Sequence, residues 1–182
     1  MSEGVKRPLD RALPIAETIV KFIRPVCSRV EIAGSIRREK SEVSDIEIVA
    51  IPNYSVDLFG TQFYSAAVVG EVLRNCGFKM DKDGENYKKF FYVSGQIWVD
   101  LFLTTPEQWG LIFMLRTGSS DFSRLMVTSR QQGGYMPSYL KVKEGRVWTA
   151  YNVIETPEEI NVFNAWDMEF VEPKDRTGFH TY

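Results

Sequence analysis

Hydrophobic and charged positions alternate with a period of two along Asp45-Ile46-Glu47-Ile48. Strand side chains point to opposite faces in turn, so Asp45 and Glu47 share one face while Ile46 and Ile48 share the other. This predicts a strand over 45–51, with a first apolar strand over 30–33. Upstream, Ile15, Ile19, Val20 and Ile23 recur at helical spacing and predict a helix over 14–22, with Pro14 in its first turn. A second helix is predicted over 61–76, with Phe63, Ala66, Ala67, Val69, Val72 and Leu73 inward and Gly77 just past its end. Strands follow over 78–80, 87–93 and 97–103, the last two joined as a hairpin around Ser94-Gly95. The 97–103 run is aromatic and branched, and Asp100 is its one charge. A lone Asp in an apolar strand is costly to bury unless it is paired or bound to metal.

The pattern changes near Pro106. Helices are predicted over 107–115 and 121–132, separated by Arg116-Thr117-Gly118-Ser119-Ser120, the second closed by Gly133-Gly134. A hairpin over 139–142 and 147–150 turns at Glu144-Gly145. Thr156-Pro157-Glu158-Glu159 reads as a capping box with proline at the first helical position, opening a short helix to about 164. The expected class is α+β, with a mixed sheet and helices in residues 1–105 and a smaller α/β subdomain in 106–182.

Composition narrows the function classes. With 182 residues, 44% of them hydrophobic, the chain can bury a real core as one ordinary domain or two small ones. A net charge of −2 argues against a strong sequence-indifferent DNA binder, which carries a basic excess. Local clusters offset this: Arg37, Arg38 and Lys40; Lys79, Lys82, Lys88 and Lys89; Lys141, Lys143 and Arg146. Cys27 and Cys76 fit neither a metal spacing nor a disulfide framework, so a reduced, intracellular setting is expected. No signal-like or membrane-length apolar run occurs, so no membrane partner is expected. The only histidine, His180, is read as a frayed tail residue, which makes a histidine base improbable.

The chemistry concentrates in residues 33–48. Two carboxylates side by side repel unless a cation sits between them, and hard oxygen ligands suit Mg²⁺ or Mn²⁺. Gly34-Ser35 offers backbone N–H groups and a hydroxyl to a phosphate, and arginine neutralises it. A carboxylate pair for metal beside a phosphate cradle is what phosphoryl or nucleotidyl transfer requires.

Ala33-Gly34-Ser35, then Asp45-Ile46-Glu47 about ten residues on, resembles the signature of the polymerase-beta-like nucleotidyltransferase superfamily. Gly34-Ser35-Ile36-Arg37-Arg38 is similar to the Gly-Ser-x-Arg-Arg of family X DNA polymerases, and Thr117-Gly118-Ser119, with Phe122 and Met126, to their Thr-Gly-Ser block. The likeness extends from about residue 9 to 176. The resemblance implies a nucleotidyltransferase palm plus a nucleotide-binding subdomain, in a minimal form lacking the lyase and helix-hairpin-helix regions. It implies two Mg²⁺ per site, with Mn²⁺ as an alternative, held by Asp45, Glu47 and Asp100, with Asp100 activating a primer 3′-hydroxyl. Gly34, Ser35 and Arg38 would hold the β- and γ-phosphates, and Thr117, Gly118 and Ser119 would lie along sugar and base. The implied partners are gapped or primer-template DNA and a dNTP, and a monomer is expected. The implied activity is DNA-directed addition of dNMP, as in gap filling during repair.

The chain also departs from the pattern. Glu47 stands where the polymerases have Asp, and Leu115 and Arg116 where they have two aromatics. Ser123 stands where an Asn reads the incoming base, and Val127 where many members have a template-facing Arg. Two other readings remain open: the same chemistry on an RNA end, protein or small molecule, and a weakly active binding module. Three clustered carboxylates argue against the last, because a pure binder has no need of them.

Overall fold

The computed structural model describes residues 5–56 and 58–178, so His180 lies outside the described residues. The chain divides into two compact units, Met1–Thr105 and Pro106–Tyr182. It is α+β, with a mixed sheet and, among the described residues, six α-helices.

In the first unit, β1 (Arg7–Pro8) leads into α1 (Leu9–Ile23) and β2 (Cys27–Ile32). A four-residue helical turn, α2 (Gly34–Arg37), precedes β3 (Glu42–Val43) and β4 (Asp45–Pro52). The short pair β5 (Tyr54–Val56) and β6 (Gln62–Tyr64) comes before α3 (Ala66–Asn75), and β7 (Lys79–Asp83), β8 (Tyr87–Tyr92) and β9 (Ile97–Leu103) complete the unit. The main sheet runs β2-β4-β9-β8-β7. Within it β4 and β9 are parallel and the other neighbours antiparallel.

Burial alternates along β9, with Ile97, Val99, Leu101 and Leu103 buried and Trp98, Asp100 and Phe102 only partly so. The buried face meets the helices. Ala12, Ala16, Ile19 and Ile23 of α1 and Val69 and Leu73 of α3 pack with Ile46, Ile48, Phe90, Val99 and Leu101. Each large aliphatic or aromatic side chain among them contributes about 1.5–3 kcal/mol on burial. The carboxylates therefore lie on the face away from the helices.

One charge breaks this pattern. Lys88 lies on the helix side of β8, only 2% exposed, and pairs with Asp83 while donating to Gly84 O at 3.2 Å. Arg74 also pairs with Asp83. A Cβ on Gly70 of α3 would stand 2.8 Å from Asp83 Oδ1 and 3.2 Å from Lys88 Nζ. The glycine leaves room for the ion pair, against a helix-propensity penalty of about 1 kcal/mol.

Two predicted helices start elsewhere. α1 begins at Leu9, placing Pro14 inside it. The missing N–H of Pro14 interrupts the ladder, but burial of the Ala12, Ala16, Ile19 and Ile23 stripe carries the helix through. Residues 62–64 of the predicted 61–76 helix instead form β6, paired with β5, and α3 starts at Ala66. Phe63 thus sits in a strand, Ala67 is exposed, and Val69 and Leu73 are the buried pair. Gly77 ends the segment with φ +79°.

The second unit holds α4 (Trp109–Thr117), α5 (Ser120–Val127), a three-stranded meander of β10 (Lys141–Lys143), β11 (Arg146–Trp148) and β12 (Val153–Ile154), and α6 (Glu159–Ala165). Leu111, Met114, Phe122, Met126, Val147, Val162, Phe163 and Trp166 form its core. The predicted helix over 121–132 stops at Val127, where Thr128 turns extended and a 3-10 turn, Arg130–Gln132, takes over. The Glu144-Gly145 hairpin forms with positive φ at both residues, the backbone of a tight primed turn.

Thr156 is not the cap of α6. It is fully buried, and its carbonyl accepts from Gly110 N at 3.0 Å. A Cβ on Gly110 would fall 2.4 Å from that carbonyl oxygen, so only glycine lets α4 approach this closely. Glu158 caps α6 instead, its N–H donating to Asn161 Oδ1 at 3.0 Å. The terminal segment is pinned by Arg176, which is 0% exposed. It donates to both Glu159 carboxylate oxygens, at 2.5 and 3.4 Å, and to Val171 O at 2.9 Å. Its guanidinium also lies 5.3 and 5.1 Å from the Phe163 and Phe170 ring centres.

Candidate active site

The parallel pairing of β4 and β9 sets Glu47 directly opposite Asp100, and Asp45 opposite Trp98. Asp45 and Asp100 are therefore diagonal neighbours on the same face, within reach of each other's charge. Burial raises the Asp45 carboxyl above the ordinary carboxylate range, and the Asp100 charge raises it further; Lys89 and Arg38 pull it back. The sheet thus brings the three predicted carboxylates to adjacent positions, where they repel.

Glu47 is fixed from the other side by the turn that follows β2. Ala33 N donates to Glu47 O at 2.8 Å, tying the turn to β4. Gly34 has φ +60°, and a Cβ there would stand 1.9 Å from Glu47 Oε2 and 2.7 Å from Cδ. The Glu47 carboxylate occupies the space a side chain at position 34 would fill. Ser35 holds its hydroxyl buried with no hydrogen-bond partner among the described residues.

The two arginines separate. Arg38 is half-buried and coupled to the site: burial lowers its pKa, while Glu47 and then Asp45 favour its charge. Arg37 borders a surface pocket with Glu17, Lys21 and Glu31, between α1 and β2.

Two neighbours are not singled out by the sequence. The Tyr87 hydroxyl donates to Asp100 Oδ1, and Lys89 faces Asp100 across the β8–β9 ladder. The alternation Tyr87, Lys89, Phe91 groups these side chains on one face, but both faces of β8 carry charge and aromatics, so period alone does not say which face.

Thr117, Gly118 and Ser119 lie in the second unit, where each has a structural task. Thr117 ends α4 and is fully buried. A Cβ on Gly118 would meet Phe122 Cδ1 at 2.5 Å. Ser119 caps α5, its Oγ accepting from Phe122 N at 3.2 Å, while its own N–H donates to Arg176 O at 3.0 Å. The Ser123 hydroxyl donates to Leu115 O at 2.6 Å.

Among the described residues, no three histidine, cysteine or acidic side chains close into a ready-made metal cage. The donor set nevertheless fits a hard divalent cation: all three side chains offer oxygen, and a cation among them would relieve the repulsion that raises Asp45. No helix among the described residues is long and apolar enough to cross a membrane. Comparison with models of known protein families finds no match, and comparison with curated proteins finds none either.

Proposed function

We propose that the chain is a nucleotidyltransferase with a polymerase-beta-like palm, acting as a family X type DNA polymerase that adds dNMP to a primer 3′-hydroxyl, as in gap filling. The observation that carries this reading is the register of β4 and β9, which sets Asp45, Glu47 and Asp100 side by side next to the Gly34 turn and Arg38. Asp45, Glu47 and Asp100 would hold two Mg²⁺ ions, which when bound supply Lewis-acid activation and charge neutralisation. Asp100 accepts the proton of the 3′-hydroxyl as its oxygen bonds to the α-phosphorus and pyrophosphate departs. Tyr87 engages one Asp100 oxygen and so orients the other. Arg38 pairs with phosphate oxygens, and the buried Ser35 hydroxyl has a donor to offer them. Thr117, Gly118 and Ser119 are proposed to lie along the nucleotide's sugar and base.

Primer extension on gapped, recessed and single-stranded DNA, with Mg²⁺ and with Mn²⁺, tests the reading. Asp100→Asn is expected to keep the fold and lose transfer by roughly 10²-fold or more, the usual worth of a general base. Extension by the variant at wild-type rate would overturn the role. The second reading, transfer to a non-DNA acceptor, is favoured by the net charge of −2. It gains if RNA ends are extended and DNA is not.

A further inference from the structure

On the sheet face away from the helices, four strands align one charged row. Glu47 pairs with Asp100, Asp100 with Lys89, and Lys89 with Lys82, so the row passes from two acids to two bases. Cross-strand partners share a face, so all four side chains lie on one side of the sheet. On its two middle strands, β8 and β9, the row is flanked by one aromatic pair on each side. Phe91 and Trp98 sit with ring centres 5.1 Å apart, and Tyr87 and Phe102 stack at 5.2 Å with planes 27° apart. The lysines lean over these rings: Lys89 Nζ lies 5.3 Å from the Trp98 centroid and Lys82 Nζ 5.8 Å from that of Tyr87. All four rings are half-buried and keep part of their surface accessible. A structural core would have buried them, and a merely solvated face would not carry four aromatics in register.

Resting on the nucleotidyl-transfer reading, we infer that this face is a stacking platform for the unpaired 3′-terminal bases of a single-stranded polynucleotide. Aromatic rings interleaved with lysines fit single strands, because unpaired bases expose π-faces that a duplex hides. Side chains two apart on a strand are separated by about 6.6–6.8 Å, so the charged row lies one such step from each aromatic pair. A base stacked on either pair keeps its sugar at the row. There Lys89 and Lys82 meet the phosphate, and Asp100 meets the 3′-hydroxyl. The preferred acceptor is then an overhanging or frayed 3′ end, which narrows the transfer reading away from the paired primer terminus of a gap.

The test is fluorescence anisotropy of a short 5′-labelled oligodeoxynucleotide with the full chain, in Mg²⁺ without nucleotide so that no transfer occurs. Three probes are compared: the single strand, its blunt duplex, and the single strand with abasic 3′-terminal residues. The single strand is expected to bind tightest. Trp98→Leu or Phe102→Leu, which keep an apolar side chain, are expected to weaken it about 5- to 150-fold, the worth of one stacked base. The abasic probe should weaken wild type by a similar factor and leave the leucine variants indifferent. Lys82→Gln and Lys89→Gln should each reduce the salt slope by about 0.7, the share of one phosphate neutralised on a single strand.

No single-strand binding, equal binding of duplex and single strand, or an abasic probe bound as well as the normal one overturns the inference. The abasic comparison uses wild type alone and decides even if the leucine variants fail to fold by circular dichroism. Stacking-dependent binding without transfer to any acceptor would sink the transfer reading and leave the platform. Transfer without aromatic dependence would sink the platform alone.

Discussion

Replacing Gly34 by alanine loads two separate strains onto one atom. The backbone there has φ +60°, and holding an L-residue in that region costs about 1–2 kcal/mol. The new Cβ would also stand 1.9 Å from Glu47 Oε2, 2.7 Å from Cδ and 2.9 Å from Cβ. The carboxylate end can swing aside, but the Glu47 Cβ is set by the β4 backbone and moves only with the strand. Overpacking of this kind costs about 1–3 kcal/mol more. Gly34→Ala is therefore expected to destabilise the protein by about 2–5 kcal/mol in urea unfolding followed by circular dichroism. The same change in a Glu47→Ala background loses the Oε2 and Cδ clashes and keeps the φ penalty and the 2.9 Å approach. Its cost should fall by about 1–2 kcal/mol, a coupling within the range for side chains in contact. A loss under about 0.5 kcal/mol in wild type would refute both strains, since unstrained substitutions lie in that range. Equal losses in the two backgrounds would leave the backbone strain and refute the account of where the Glu47 carboxylate sits.

Asp83→Asn and Lys88→Met should differ, although they break the same pair. The first strands an ammonium that is 2% exposed and costs about 3–5 kcal/mol; the second leaves a carboxylate still 31% exposed beside Arg74 and costs about 1 kcal/mol. Equal losses would contradict the burial asymmetry. The Lys88 hydrogen bond, ahead of Arg74, holds the Asp83 pKa below the ordinary carboxylate value, so the pair's contribution is present above that value and is lost as pH falls through the depressed one; Asp83→Asn should flatten this acid limb of a stability–pH curve. Arg176→Met and Glu159→Leu should each cost about 3–5 kcal/mol in denaturant unfolding, and the double replacement far less, because only the single variants leave a buried charge alone; additive losses would refute this. Burial pushes the Cys27 thiol up to about 12, so at pH 8 only about one molecule in 10⁴ carries its thiolate, whereas Cys76 is exposed. A thiol reagent should label one cysteine quickly and the second only on unfolding, and rapid double labelling would show Cys27 to be misplaced.

The strand β9 can be read from the sequence, because a branched and aromatic run bounded by Gly95 and Pro106 reads as a strand, whereas the alternation of burial along it appears only in the structure. The adjacency of Asp45, Glu47 and Asp100 cannot, since pairing register is a property of two strands and no single segment encodes it. The 62–64 segment reads as helix because three residues are too few to display a period, and its partner Tyr54–Val56 is equally short. Thr156 has the local chemistry of a cap, but the close approach of α4 at Gly110 buries it and passes the role to Glu158. Lys88 reads as one more member of a basic cluster until tertiary structure supplies Asp83 and the gap at Gly70. In each case the missing information is a contact between segments, and for the carboxylates and Thr156 those segments are distant in sequence.

The same point changes what the net charge of −2 means for a nucleic-acid partner. Beyond about 10 Å at ordinary salt, charges are screened, so a phosphate responds to the few side chains near it and hardly to the chain as a whole. The row Glu47, Asp100, Lys89, Lys82 sums to zero, yet it is a local gradient with its acids at one end and its bases at the other. A polynucleotide end has the matching requirement. Its phosphates need cations, while the reacting hydroxyl needs carboxylates to hold metal and take a proton. A uniformly basic face would bind the backbone anywhere along its length. A face that turns from basic to acidic within four strands favours the one place where phosphates stop and a hydroxyl begins. The net negative charge is thus compatible with a nucleic-acid substrate whose end, and not its length, is recognised.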